Sequence, residues 1–491
     1  MMKNIYQGLL ILTLGMVTAC DSLLDIDPEF TQDAENFFNT EEDFDRAIIG
    51  VYDMMQPAYL NMWIGEIASD NAIAGGESVN DSRGLHEIEN MTHGGVNQEL
   101  RAVMRVNYTG IARANYIFEN QDNIDFDGKA LILAEAKFMR AYFYFNLVNY
   151  FGDMPLIVDR RISISEIPNA ERTPRAAIYE QIESDLGEAM EVLPWTFSET
   201  GRLTRGAAMA MLGKVLLYQN KYAEAATILG DLIADNQGGY ELFPDYSTLF
   251  LNENRNVSED VFTIQFSGLQ GGDYGCLVCL NGNAAVGFQS IRQYDGPFYA
   301  DGNSYNLPTQ DLYDAFEEGD IRREATVLDL DAFIAAQPNP DEITYAIGGG
   351  GHTGFYNNKY IKRLDERGLP DDDLTSPLNY RAIRWADVLL MAAEAFQRSG
   401  NDERARTELN KVRARVNMPD VSSSDDALYQ AILNERRYEL SGEGFRFFDL
   451  VRTGQAGERI DGFITGQHEV FPIPQVEIDL AGGIWEQNPG Y

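Results

Sequence analysis

The segment spanning residues 205–225 constrains the fold more strongly than any other part of the sequence. Its apolar side chains recur at positions i, i+3, i+4 and i+7, the spacing of one buried helix face. These side chains are Ala208, Met211, Leu212 and Val215. A Leu-Gly pair and a tyrosine lie on the same helix, and Tyr222-Ala-Glu-Ala225 opens a second one. We therefore expect two helices that cross at small residues and that need neighbouring helices to bury their remaining faces.

This pattern of small residues is that of a tetratricopeptide repeat. A weaker copy occupies residues 385–396 and continues at 401–405. Residues 97–121, 127–151 and 174–193 also predict long helices, the last of which opens at Thr173-Pro174 with proline at the first helical position. The sequence thus predicts a mainly α fold, with a tetratricopeptide-like helical scaffold of about four helix pairs.

The composition changes between about residues 240 and 378. Gly, Asn, Asp and Pro are frequent there, and residues 261–266 alternate in the way a short strand does. The glycine run 348–351 is not followed by the Gly-Lys-Ser/Thr sequence of a phosphate-binding loop. We expect a loop-rich mixed region with short strands, and we expect ligand binding there because loops on a rigid scaffold usually carry binding residues.

The charge balance excludes one class of partner. The chain has 38 Lys and Arg against 77 Asp and Glu, a net charge of −39. A surface of this sign repels phosphate backbones, so we expect no nucleic-acid partner. A neutral or cationic ligand fits the charge better, whereas an anionic ligand requires a local basic pocket.

Residues 1–19 have the features of an export signal. Lys3 precedes an apolar run over residues 9–17, which is too short to span a bilayer. The run leads into Val17-Thr18-Ala19-Cys20, a bacterial lipobox. We expect cleavage before Cys20 and attachment of acyl chains such as palmitate to that residue. An ordinary secretory signal with a chance cysteine is the alternative.

The two other cysteines, Cys276 and Cys279, form a C-x-x-C pair. An exported protein enters an oxidising compartment, where such a pair can close a disulfide across a tight turn. Gly275 before the pair and Asn281-Gly282 after it indicate a loop and not the helix start of a redox motif. A structural disulfide, free thiols and a metal or redox role are the three open interpretations.

No sequence motif indicates catalysis. Gly-x-Ser-x-Gly and His-Glu-x-x-His are both absent from the sequence, and we expect a protein that is not an enzyme. We expect no metal site and no cofactor. The segment 301–306 lacks the glycine and the final glutamate of an EF-hand loop. A single structural calcium ion on loop carboxylates and carbonyls is the alternative.

Ordered motifs along the whole mature chain resemble the SusD/RagB family. Near the N-terminus these are Cys20-Asp-Ser-Leu-Leu-Asp-Ile-Asp-Pro28, Gly110-Ile-Ala-Arg-Ala-Asn115 and Phe151-Gly-Asp-Met-Pro155. The C-terminal half has the closer matches, which are Asn434-Glu-Arg-Arg-Tyr-Glu-Leu440, Gly442-Glu-Gly-Phe-Arg-Phe-Phe-Asp-Leu-Val-Arg452, Phe471-Pro-Ile-Pro-Gln475 and Gln487-Asn-Pro-Gly-Tyr491. After the signal peptide 1–19, the resemblance divides the chain into an N-terminal SusD-like helical region, 20–240, and a C-terminal SusD/RagB region, 241–491, within one continuous globular unit.

The resemblance implies a function as well as a fold. Family members are lipid-anchored proteins of the outer membrane, and they face the cell surface. They bind oligosaccharides without chemistry of their own and deliver them to a TonB-dependent transporter of the SusC type. A branch of the family resembles the peptide-binding lids of RagB-like importers, and this is the alternative function.

The resemblance also places the ligand-binding loops in two windows, residues 74–97 and 274–305. Tyrosine rings can stack on the apolar faces of sugars, and amide or imidazole groups can hydrogen-bond the hydroxyl rim. The first window supplies His93 as a candidate. The candidates from the second window are Tyr274, Tyr294, Tyr299, Asn303 and Tyr305.

Overall fold

Helices are the main regular secondary structure of the chain. The computed structural model describes residues 37–491 apart from positions 270, 271, 273 and 277. Cys20 and the predicted signal peptide therefore lie outside the described residues. The α-helices of the described part are α1 Glu41–Asp53, α2 Tyr59–Ile67, α3 Arg83–Glu89, α4 Gln98–Glu119, α5 Lys129–Phe151, α6 Arg175–Val192, α7 Arg205–Tyr218, α8 Tyr222–Asp235, α9 Ala284–Gln289, α10 Gln310–Ala315, α11 Arg322–Thr326, α12 Leu330–Ala335, α13 Trp385–Arg398, α14 Asp402–Arg415, α15 Asp425–Leu440, α16 Arg446–Arg452, α17 Ala456–Arg459 and α18 Gln475–Leu480.

Side-chain caps account for several helix starts. The Thr204 hydroxyl accepts a hydrogen bond from the Ala207 backbone N–H at 3.1 Å, so α7 begins where the repeat pattern predicts. The side chain of Asn401 caps α14 in the same way by accepting from the Arg404 N–H. Such caps satisfy backbone donors that the first turn leaves without partners.

Eight long helices, α4–α8 and α13–α15, form the scaffold. Consecutive helices from α4 to α8 pack against each other, α13 packs on α8, and α14 and α15 pack on α13. Every side chain of α13 from Trp385 to Gln397 is buried, because this helix has neighbours all round. Val215 is fully buried as its position in the repeat predicts, whereas Leu212 is half-buried. The mainly α, tetratricopeptide-like fold is confirmed.

The strands are short and lie mainly in the loop-rich region. They are β1 Ala72–Gly75, β2 Asp260–Ile264, β3 Ile291–Arg292, β4 Asp301–Gly302, β5 Tyr305–Pro308, β6 Val327–Asp329, β7 Phe355–Asn357 and β8 Tyr380–Arg384. They form two-stranded sheets: β1–β5, β2–β8 and β6–β7 are antiparallel, and β3–β4 is parallel. The strand predicted at 261–266 is therefore β2, and its partner lies about 120 residues later in the chain.

One large hydrophobic core extends from Phe38 to Trp485 and contains residues of both predicted regions. A smaller core lies beneath the loops, around Ile291, Tyr294 and Tyr356. Among the described helices, none has an apolar stretch long enough to cross a bilayer.

Buried ion pairs join the scaffold to the loop-rich region. The guanidinium of Arg384, at the end of β8, lies 2.7 Å from Glu259 and 2.9 Å from Glu443, and it also contacts Glu439. The side chains of all four residues are fully buried. Because an unpaired buried charge is costly, these partners hold the ends of β8 and α15 together.

Tyr491, the last residue of the sequence, contacts His93 in the N-terminal half. The His93 Nε2 and the Tyr491 hydroxyl are 2.9 Å apart. The imidazole ring also packs against Phe471 and His468, at 5.0 Å and 5.5 Å between centroids. Burial and the nearby His468 lower the pKa of His93 to about 4.

Gly65 and Gly444 approach each other so closely that a side chain at position 65 should destabilise the fold. A Cβ on Gly65, within α2, would lie 1.9 Å from the carbonyl oxygen of Gly444, so the backbone would have to move. We expect Gly65→Ala to lower the free energy of unfolding by at least ~2 kcal/mol. In the control Gly187→Ala, no atom lies within 4 Å of the added Cβ, and we expect a gain of up to ~1 kcal/mol from helix propensity. Chemical denaturation measures both values, and equal changes in the unfolding free energy of the two variants would contradict the close approach of Gly65 to Gly444.

Acid should weaken the folded state through His93. An unfolded histidine binds a proton near pH 6.5, whereas folded His93 binds one only near pH 4. The unfolded chain therefore binds more protons in this window, and stability falls as the pH drops through it. We expect His93→Gln to reduce the loss of unfolding free energy between pH 7 and pH 5. Identical losses in the two proteins would show that His93 is not held neutral.

Candidate functional site

The two predicted ligand windows meet in the structure. Strand β1 pairs with β5, so Gly75 lies opposite Tyr305. The Tyr305 hydroxyl then donates a 2.6 Å hydrogen bond to the carboxylate of Asp81. Burial and the Asp81 carboxylate raise the pKa of Tyr305 well above its usual value, so this hydroxyl stays a donor.

The glycine run 348–351 packs a third loop against the segment that follows β1. The Gly349 N–H donates to the Glu77 carbonyl at 2.6 Å. A Cβ on Gly350 would lie 2.0 Å from the Gly75 carbonyl oxygen, so the two backbones approach at a distance that only glycine allows. An ion pair between Arg292, at the end of β3, and Glu77, at 3.0 Å, adds the segment after α9. We call residues 75–82, 274, 292–305, 345–353 and 371–373 the loop face.

The loop face carries the exposed aromatic rings. Of the Phe, Tyr and Trp side chains in the described residues, only Tyr274, at 57% exposure, and Phe298, at 64%, have more than a third of their surface accessible. The exposed apolar side chains Val79 and Ile347 flank the glycine contact. Flat rings in solvent beside polar loops are the arrangement that sugar stacking needs.

Phe298 was not predicted from the sequence. Its ring contacts Phe333 at a centroid distance of 6.0 Å, and its backbone has a φ of 68°. Left-handed backbone is rare for a bulky residue and costs energy that the surrounding structure must offset. Left-handed φ values also occur at Gln293, Ser304 and Asn306 of the same segment. The Gly296-Pro297 turn just before Phe298 is the one signal in the sequence that points to it.

Tyr274 lies beside the carboxylate of Asp373. Its hydroxyl donates to Asp373 at 3.4 Å, and the second oxygen of that carboxylate accepts from Lys362 at 2.7 Å. Burial and Asp373 raise the pKa of Tyr274 to about 12. The ring edge contacts Phe288 at 6.3 Å, and Phe288 in turn contacts Trp63 at 5.3 Å. An aromatic cluster thus connects Tyr274 to the core.

Asn303 is a half-buried residue of the loop face whose side-chain nitrogen has no hydrogen-bond partner among the described residues. A buried donor without a partner carries a free-energy cost that a ligand acceptor would remove. The unpartnered nitrogen is consistent with the predicted role of Asn303 in ligand binding.

Four of the predicted contacts have buried side chains. Tyr294 is 2% and Tyr299 9% exposed, because both pack in the smaller core beneath the loops. Their hydroxyls donate to the Pro297 carbonyl and to the Asn358 side chain, at 3.0 Å and 3.2 Å. His93 is 4% exposed and packs with the C-terminal residue. Tyr305, at 8% exposure, is buried as well, so among the candidates Tyr274 and Asn303 keep accessible side chains on the loop face.

A disulfide joins Cys276 and Cys279, with their Cα atoms 5.3 Å apart. It closes the turn directly after Tyr274. No group of three or more His, Cys, Asp or Glu in the described part of the chain is arranged to hold a metal ion. The alternative of a single structural calcium ion on loop carboxylates and carbonyls stays a prediction.

Two family models each match a part of the chain. A family model described as the SusD family matches residues 281–468. A second, described as starch-binding and associating with the outer membrane, matches residues 22–217. The curated relative SusD-like protein P2 of Formosa agariphila is 27% identical over 525 residues and is covered completely, as is this chain.

Solved structures share the fold over nearly the whole chain. A laminarin-binding SusD-like protein is 34% identical with a TM-score of 0.84, over 92% of this chain and 100% of that one. Surface glycan-binding protein A from Bacteroides thetaiotaomicron in complex with laminarihexaose is 25% identical with a TM-score of 0.81, over 91% and 99%. The helical scaffold, the order of the motifs and these matches together show that the chain belongs to the SusD/RagB family.

Proposed function

We propose that this protein is a surface glycan-binding lipoprotein that captures laminarin-type oligosaccharides on its loop face. The observation that carries the proposal is the position of Tyr274 and Phe298, the two exposed rings of the described chain, both on that face. The similarity to a laminarin-binding protein and to a glycan-binding protein with bound laminarihexaose supports this ligand class.

The polar groups of the loop face complement a sugar. The carboxylates of Asp81 and Asp373 are acceptors for hydroxyl groups, and the Asn303 amide is a donor. A neutral glucan carries no charge that a protein of net charge −39 would repel. Peptide binding, as in RagB-like importers, remains the alternative that the binding experiment distinguishes.

The rest of the proposed role concerns delivery. A lipid anchor at Cys20 would hold the protein at the outer membrane, facing the cell surface, and a SusC-like TonB-dependent transporter would take over the bound oligosaccharide. We propose that the protein itself performs no chemistry on the ligand. Support comes from the family membership and from the matched description of outer-membrane association.

Substitution of the exposed rings should weaken glycan binding. An aromatic contact contributes on the order of 1 kcal/mol, so we expect Tyr274→Ala and Phe298→Ala each to raise the Kd for laminarihexaose about fivefold in calorimetry. Tyr222→Ala, which removes a ring from α8 outside the loop face, should leave the Kd unchanged. Binding of peptides but not of laminarihexaose would contradict glycan capture and support the alternative function, peptide binding. Shorter sugars appearing during the titration would refute the non-catalytic role.

Membrane attachment and partnership can be tested together. We expect the wild-type protein to sediment with outer membranes and, after mild detergent extraction, to co-purify with a TonB-dependent β-barrel near equal stoichiometry. Cys20→Ala should appear in the soluble fraction, because it lacks the acyl chains that provide stable anchoring. Retention of this variant in the membrane, with lipid label still attached, would contradict lipidation at Cys20.

A further inference from the structure

A groove separate from the loop face lies along helix α4. Residues 155–170 form its opposite wall, and Trp485, whose indole N–H donates to the Ala170 carbonyl at 2.7 Å, also lines it. Its volume is about 340 Å³. Most of the side chains around it are apolar, including Met104, Ile111, Ile157, Ile162, Ile167 and Trp485. Ile164, on the rim, is 74% exposed. An open apolar groove of this kind usually marks an interaction site.

The rim of the groove is basic in a strongly acidic protein. Arg105, Arg160 and Arg161 line it, against one carboxylate, Glu477, which pairs with Arg101 at 3.1 Å. Arg160 pairs with Glu166 at 2.7 Å, and Arg161 pairs with Glu119 at 2.8 Å. The guanidinium of Arg105 has no ion-pair partner among the residues that the structure describes. The groove therefore favours an occupant that combines apolar side chains with negative charge.

The described chain begins beside this groove. The ring of Phe37 stacks on Tyr116 of α4 at 6.2 Å between centroids. The guanidinium of Arg161 lies 3.4 Å from the centroid of the same Tyr116 ring. Arg161 and Asn115, the residue before Tyr116, both line the groove. The residues that precede Phe37 thus join the described structure at the end of the groove.

Residues 21–36 have the composition that the groove favours. The segment contains the large apolar residues Leu23, Leu24, Ile26 and Phe30. Its acidic residues are Asp21, Asp25, Asp27, Glu29, Asp33 and Glu35, and it contains no Lys or Arg. Its apolar side chains match the groove walls and its carboxylates match the arginine rim.

The length of the segment is also sufficient. Met104 and Asn115 are eleven residues apart on α4, which corresponds to about 17 Å along the helix axis. About five extended residues cover that distance, and the sixteen residues 21–36 reach roughly 50 Å when extended. The segment is long enough to follow the groove and still leave several residues at its N-terminal end.

We propose that the groove along α4 is the docking site of this chain's own N-terminal segment, residues 21–36. Leu23, Leu24 and Ile26 insert between α4 and the 155–170 wall, and the acidic residues pair with Arg105, Arg160 and Arg161. The docked segment determines where the chain leaves the folded body on its way to residue 20. If Cys20 carries the lipid, docking limits the free tether to the few residues before Leu23 and so restricts how the body tilts on the membrane.

Disulfide trapping in the full-length Cys20→Ala chain tests the proposal directly. Leu24→Cys combined with Ile164→Cys should form a disulfide under mild oxidation in most molecules, detected by mass spectrometry of the digested protein. The control pairs Leu24→Cys with Ile347→Cys, because Ile347 is similarly exposed, at 66%, but lies on the loop face. We expect at least tenfold less crosslink in the control. Equal yields from the two pairs, or no crosslink in either, would overturn the proposal.

Hydrogen exchange provides a second measurement that needs no new cysteines. The double variant Leu24→Asp/Ile26→Asp should raise amide exchange in residues 155–170 several-fold, whereas Ser22→Asp, which adds a charge without removing an apolar side chain, should not. High salt should have a similar but smaller effect, because it screens the arginine contacts. Unchanged exchange in the double variant would overturn the proposal. Protection of the groove that depends on protein concentration, or that appears only with a partner protein, would assign the groove to another occupant and also overturn it.

Discussion

The arrangement of the scaffold and the loops depends on the ion pairs made by the buried guanidinium of Arg384. Glu259, Glu439 and Glu443 surround it, and Arg415 and Arg322 contact Glu439 from two other helices. Burial alone would raise the pKa of Glu439, but the arginines lower it well below its usual value. Loss of one partner from such a cluster costs about 3–5 kcal/mol, because the remaining charge cannot reach water. The network therefore ties the strand β8 to the helices α14 and α15.

The same network holds the loop-rich region in place. Lys359, just after β7, donates to Glu443 at 2.7 Å and to the Glu439 carbonyl at 2.8 Å. The side chain of Asn357 donates to the Gly442 carbonyl at 2.9 Å. Strand β7 pairs with β6, and the smaller core with Tyr294 and Tyr299 packs against these strands. Rigid support beneath the loops lets the left-handed backbone at Phe298 persist and keeps its ring in solvent. Ligand binding on such a face needs little reordering of loops.

Two surfaces of the molecule thus have different chemistry. The loop face presents aromatic rings with carboxylates and amides, which suits a neutral ligand with many hydroxyl groups. The groove along α4 presents aliphatic side chains with arginines, which suits an acidic and apolar peptide segment. The separation is consistent with a protein that binds its cargo on one side and is tethered through another. Family membership accounts for the scaffold, whereas the exposed side chains on these surfaces distinguish this chain.

Local pattern in the sequence determined the helices, because periodicity and capping act over a few residues. Helices predicted at 97–121 and 127–151 lie at Gln98–Glu119 and Lys129–Phe151, and the repeat pattern identified α7, α8, α13 and α14. The family resemblance also placed the two predicted ligand windows, which meet in the structure through the pairing of β1 with β5. Only the tertiary structure decided which rings in the second window meet solvent. Tyr274 and Tyr294 have the same side chain, yet one is 57% and the other 2% exposed. The difference arises because exposure depends on contacts with segments far away in the chain, here residues 327–361, and no local pattern encodes those contacts.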